Sequence, residues 1–88
     1  MRIWGKIWKN NRLIQDTVVE NLSEDTRTTK VLAALREICM EFDLSVPIWL
    51  DANIREFQRR AKTRFSPDSF VEQVDFDYLE LQVIEEDG

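Results

Sequence analysis

Glu72, Asp75 and Asp77 are the side chains whose type and spacing come nearest to chemistry. Two carboxylates two positions apart share one face of an extended strand, where they can hold magnesium through oxygen ligands and water or serve as an acid–base pair. Their spacing matches no calcium loop, and a run of acids entering an exposed strand is more often solvated or paired with arginine. The chain has no histidine, which removes the commonest general base and the commonest zinc ligand. Cys39, the one cysteine, lies on the apolar stripe of a helix and reads as a buried, inert thiol. A lone cysteine without histidine cannot assemble a zinc or iron–sulfur site from a single chain. With glycine only at positions 5 and 88, backbone N–H groups cannot crowd around a phosphate as nucleotide loops require. The expectation is a non-enzymatic protein with no catalytic residue, no metal and no cofactor.

Two surface features remain. Arg55, Arg59, Arg60, Lys62 and Arg64 form a basic cluster; Arg55, Arg59 and Lys62 fall at helical spacing, and Phe65 adds a stacking surface of the kind that single-stranded nucleic acid uses. The other feature is a pair of tryptophans, Trp4 and Trp8, which share one strand face with Leu13 and Val19 if residues 2–20 form a hairpin. Helices cover only one face of a small sheet, leaving open either this face or the one with Ile3, Ile7, Ile14 and Val18, and an apolar face left open marks a partner surface or a dimer contact. The leading expectation is protein–protein interaction or homodimerisation through Trp4, Trp8, Leu13 and Val19. The alternative is nucleic-acid binding through the 55–64 cluster.

A formal net charge of −5 weighs against duplex DNA and anionic membranes as partners. The charge is unevenly spread: residues 1–12 hold four bases and no acid, whereas residues 66–88 hold eight acids and no base. No apolar run reaches membrane-spanning length, and a single cysteine suits a reducing compartment, so a cytoplasmic location is expected. Eighty-eight residues make one domain, 1–88, with a fraying end at 85–88.

These side chains must be positioned by few elements. Asn10-Asn11, flanked by β-branched and aromatic residues, tolerates the positive φ of a tight turn and predicts a hairpin over 2–20. In that register Ile3 faces Val18, Trp4 faces Thr17, Ile7 faces Ile14 and Trp8 faces Leu13. Gly5 marks a bulge or a close contact. Val31, Leu32, Leu35, Ile38, Cys39 and Phe42 recur at helical spacing and predict a helix over about 26–42, capped by Ser23 or Asp25. Pro47 forces Val46 out of helical geometry, so 44–50 reads as an extended crossing that buries Ile48 and Trp49. Asp51 caps a second helix to about residue 60, and Ser66-Pro67 starts a further short turn. Residues 77–85 alternate, with Leu79, Leu81 and Val83 on one face. The fold class expected is α+β, with two layers: a three-stranded, mainly antiparallel sheet in the order β-β-α-α-β, the first strand central and the helices on one face.

The segments Ile3-Trp4-Gly5-Lys6-Ile7-Trp8-Lys9, Glu24-Asp25-Thr26-Arg27-Thr28, Pro47-Ile48-Trp49-Leu50-Asp51, Glu56-Phe57, Lys62-Thr63-Arg64-Phe65 and the stretch from Asp75 to Asp87 resemble a group of small bacterial proteins to which no activity is assigned. The resemblance spans nearly the whole chain. It implies a bacterial cytoplasmic domain and transfers no site residue.

Overall fold

The computed structural model describes residues 1–87. The chain runs β1 (Arg2–Lys9), β2 (Arg12–Glu20), α1 (Arg27–Glu41), α2 (Asp51–Arg60), β3 (Lys62–Phe65), a 3-10 turn (Pro67–Ser69) and β4 (Tyr78–Glu85). It is an α+β fold with two helices and an antiparallel sheet, but the sheet has four strands in the order β2-β1-β4-β3 rather than three. The added strand, β3, follows a reversal at Ala61. That residue ends α2 in the left-handed region at φ 56, its N–H donating to the Phe57 carbonyl, so Lys62 enters the sheet instead of extending the helix.

β1 is flanked by β2 and β4, which places the basic first strand beside the acidic last one. Asn10 and Asn11 take positive φ as the turn demands, and Trp8 faces Leu13 as expected. Beyond that pair a bulge absorbs Ile14, so Ile7 faces Gln15, Trp4 faces Val18 and Ile3 faces Val19. An extra residue switches every later side chain to the opposite face. Val19 is therefore buried with Ile3 and Ile7, while Val18 and Ile14 are exposed.

One sheet face carries Ile3, Gly5, Ile7, Thr63, Phe65, Leu79, Leu81 and Val83, and both helices pack on it. Ile38 of α1 sits so close above Gly5 that a Cβ there would lie 2.5 Å from its Cγ2. Asn53 of α2 donates to the Thr63 hydroxyl and the Arg64 carbonyl, both at 2.9 Å. Val31, Ala34, Leu35, Ile38 and Cys39 fill the layer between. Local signals differ from expectation at three points. Thr26, not Ser23 or Asp25, caps α1 by accepting from Thr29 N–H. Asn53 accepts from the Leu50 N–H at 3.0 Å, so α2 is secured one residue earlier, by an inward amide. In the 44–50 crossing Ile48 is 53% exposed, whereas Trp49 packs edge-on to Phe57 and Phe65.

At the carboxyl end, Glu85 closes β4, Arg27 holds Glu86 through two hydrogen bonds, and Asp87 meets Lys30 and the Met1 amine. Gly88, the last residue of the segment 85–88 expected to fray, lies outside the described residues. No helix among the described residues is long and apolar enough to cross a membrane.

Candidate functional site

The face turned away from the helices is built from alternate residues of all four strands. β1 contributes Trp4, Lys6 and Trp8, β4 Tyr78, Glu80 and Gln82, β3 Lys62 and Arg64, and β2 Leu13, Asp16 and Val18. Its centre is not the apolar patch that the tryptophans suggest. Lys6 and Glu80, facing each other across β1 and β4, form an ion pair of 3.0 Å and are both buried, although no helix covers them. Neighbouring rings do the covering. Lys6 Nζ lies 3.9 Å from the centre of a Trp4 ring and donates to Gln82 Oε1 at 2.9 Å. Trp8 donates its indole N–H to Glu80 Oε1 at 3.1 Å, and Trp4 donates to Asp16 Oδ2 at 2.9 Å. Arg64 stands 3.5 Å from Glu80 and over the Tyr78 ring at 4.4 Å.

The electrostatics follow from this packing. Burial raises the Glu80 pKa, but hydrogen bonding and charge from Lys6, the Trp8 N–H and the charge of Arg64 outweigh it, leaving the carboxyl below its ordinary value. Glu80 is thus held as an anion, with both oxygens engaged. Trp4 and Trp8 are half-buried, each with its indole N–H fixed on a carboxylate.

Of the four residues expected to form the interaction surface, the structure brings Trp4, Trp8 and Leu13 to this face. Val19 is on the other side, replaced by Val18 for the bulge reason above. The basic cluster divides: Arg55 and Arg59 are exposed on α2, whereas Arg60, Lys62, Arg64 and Glu56 gather around a shallow hollow at the β3 edge, with Glu80 at its inner wall. Sequence reasoning did not join Tyr78, Glu80 and Gln82 of β4 to Lys6 and the tryptophans of β1 as one surface. The alternation of β4 places three of them on one face, and a lysine between two tryptophans is the remaining signal.

The acids at 72–77 are dispersed. Glu72 accepts from the Ser45 N–H and hydroxyl, Lys9 pairs with Asp75 at 3.1 Å, and Asp77 accepts from the Asn10 N–H. Among the described residues no group of three metal-ligating side chains converges. Burial, and secondarily the charge of Glu72, push the Cys39 thiol up to about 11, so it stays protonated at neutral pH. Between α1 and α2 lies an open cleft of about 310 Å³, lined by Val31, Leu32, Trp49, Ile54 and Phe57 with Arg27 at its edge. The Trp49 indole N–H beneath is buried without a partner.

Comparison of the chain with protein-family models, curated proteins and solved structures finds no match.

Proposed function

We propose that this chain is a small, non-enzymatic binding module that engages another protein through its open sheet face. The observation that carries the reading is the pair of half-buried indoles on that face, each fixed by an N–H bond to a carboxylate, Trp4 to Asp16 and Trp8 to Glu80. Aromatic side chains held rigid before binding lose little entropy when a partner covers them, and such anchors dominate interface energies. Around them stand Leu13, Val18, Tyr78 and the charged ends of the strands, which supply a polar rim. The single cysteine and the resemblance to small bacterial proteins support placing the module in the cytoplasm.

A second reading, single-stranded nucleic-acid binding, draws on the meeting of Arg60, Lys62 and Arg64 at the β3 edge, with Arg64 over the Tyr78 ring. It is the weaker of the two, because the exposed Asp16 and Glu20 share the face on which bases would stack and repel the phosphates. Affinity capture of tagged protein from a lysate of its source, with and without nuclease, separates the two readings. A protein retained after nuclease, lost with Trp8→Ser, and protecting Trp4 and Trp8 from oxidative footprinting is the expected result. Capture that vanishes with nuclease transfers the function to nucleic acid, and capture indifferent to Trp8→Ser rejects the face.

A further inference from the structure

We infer that the occupant of the open face is a second copy of this chain, stacked face to face about a two-fold axis parallel to the strands. The inference rests on the protein-binding reading above and adds the partner's identity. Its basis is the order of charges across the sheet. The paired positions Asp16, Lys6, Glu80 and Arg64 form one row from the β2 edge to the β3 edge, with signs that alternate minus, plus, minus, plus. Such a row is inverted by a two-fold parallel to the strands, which lays Asp16 on Arg64 of the second copy and Lys6 opposite Glu80 of the second copy. An axis running along the row would instead set Asp16 on Asp16 and Arg64 on Arg64, and like charges in contact disfavour it. Only Asp16 and Arg64, at the ends of the row, are exposed, so they decide the orientation, while the central pair is already neutralised within each chain.

The adjoining rows agree. Trp4 lies between Val18 and Gln82, and inversion places it over Gln82 of the second copy; Trp8, between Leu13 and Tyr78, comes over Tyr78 of the second copy. At the far end Arg2 falls opposite Glu85 of the second copy. Strands stay aligned across the contact, as in ordinary sheet-on-sheet packing. Three strands of eight or nine residues and one of four present roughly 450 Å² per copy, or about 900 Å² in all, the size of a weak, transient contact. The dimer is therefore in exchange with its monomer and forms at micromolar concentrations or above.

Sedimentation equilibrium over a concentration series tests this. The wild-type average mass should rise from one chain toward two, and less readily in high salt. Arg64→Glu and Asp16→Arg should each weaken association about tenfold or more, because each sets like charges together at both ends of the row. An equimolar mixture of the two variants should recover wild-type association, since the heterodimer pairs Asp16 with Arg64 at one end and the two introduced charges at the other. Circular dichroism checks that each variant is folded; if a reversal disturbs the monomer, Arg64→Gln and Asp16→Asn take its place, each weakening association about threefold. A wild type that stays monomeric overturns the inference, as does a dimer indifferent to both variants or a mixture that fails to recover. A monomer that captures a different protein in a Trp8-dependent manner also overturns it, while leaving the binding face itself standing.

Discussion

Lys6 and Glu80 show how a surface can hold a buried charge pair without a covering layer. Each is shielded by aromatic side chains of the same face, and each satisfies the other where water is largely excluded. Removing one partner from such a pair strands the other, and Lys6→Met should destabilise the fold by about 3–5 kcal/mol in urea unfolding. A loss below about 1 kcal/mol would mean that Arg64 and Trp8 suffice to hold Glu80. Gly5 makes the complementary case on the buried face. Ile38 occupies the space that a Cβ needs, so Gly5→Ala should cost about 1–3 kcal/mol by forcing α1 away from β1; an unchanged melting temperature would contradict so close an approach. Gly5 was legible as a contact point, since a glycine amid β-branched and aromatic residues needs a reason. The pairing of Lys6 with Glu80 was not, because the 73 residues between them decide which acid faces that lysine.

At the scale of elements, long periodic segments declared themselves and short ones did not. The α1 stripe and the alternation of β4 span enough residues for their period to be counted, and both occupy the positions expected. β3 has four residues, too few to show a period, and the arginines before it continue a helical spacing that the backbone abandons at Ala61. The hairpin turn was readable from two asparagines, yet the bulge at Ile14 has no local marker: Val18 and Val19 are the same residue type, and only the tertiary face distinguishes them. The Ala61 reversal carries its own test. An alanine at φ 56 is strained where glycine is not, so Ala61→Gly should stabilise the protein by about 1 kcal/mol, read as a rise in melting temperature. A fall would indicate that the half-buried Ala61 methyl contributes more through packing than its backbone loses.

For the whole molecule, charge segregation along the chain becomes charge pairing in space. The basic first strand lies beside the acidic last strand, and Arg27 and Lys30 of α1 collect the acids that follow it. Three carboxyls are consequently held below their ordinary range. For Glu80 burial opposes the shift and Lys6, Trp8 and Arg64 overcome it; for Glu86 the hydrogen bond from Arg27 leads; for Asp87 the hydrogen bonds from Lys30 and the terminal amine do. A carboxyl whose folded pKa lies below its unfolded value stabilises the fold fully above the unfolded value, near pH 4, and loses that contribution as pH falls through the folded one. Urea midpoints should therefore be level from pH 7 to about 5 and decline steeply below about 4. Salt divides the contributions, because the Glu86 and Asp87 carboxylates are half-exposed and are screened more than the Glu80 pair, which is buried on both sides. In high salt the remaining decline should belong mainly to Glu80, and Glu80→Gln should lower stability at pH 7 while flattening the acid limb. An acid limb that keeps its slope in Glu80→Gln at high salt would show that the buried pair on the open face is not what couples this fold to protons.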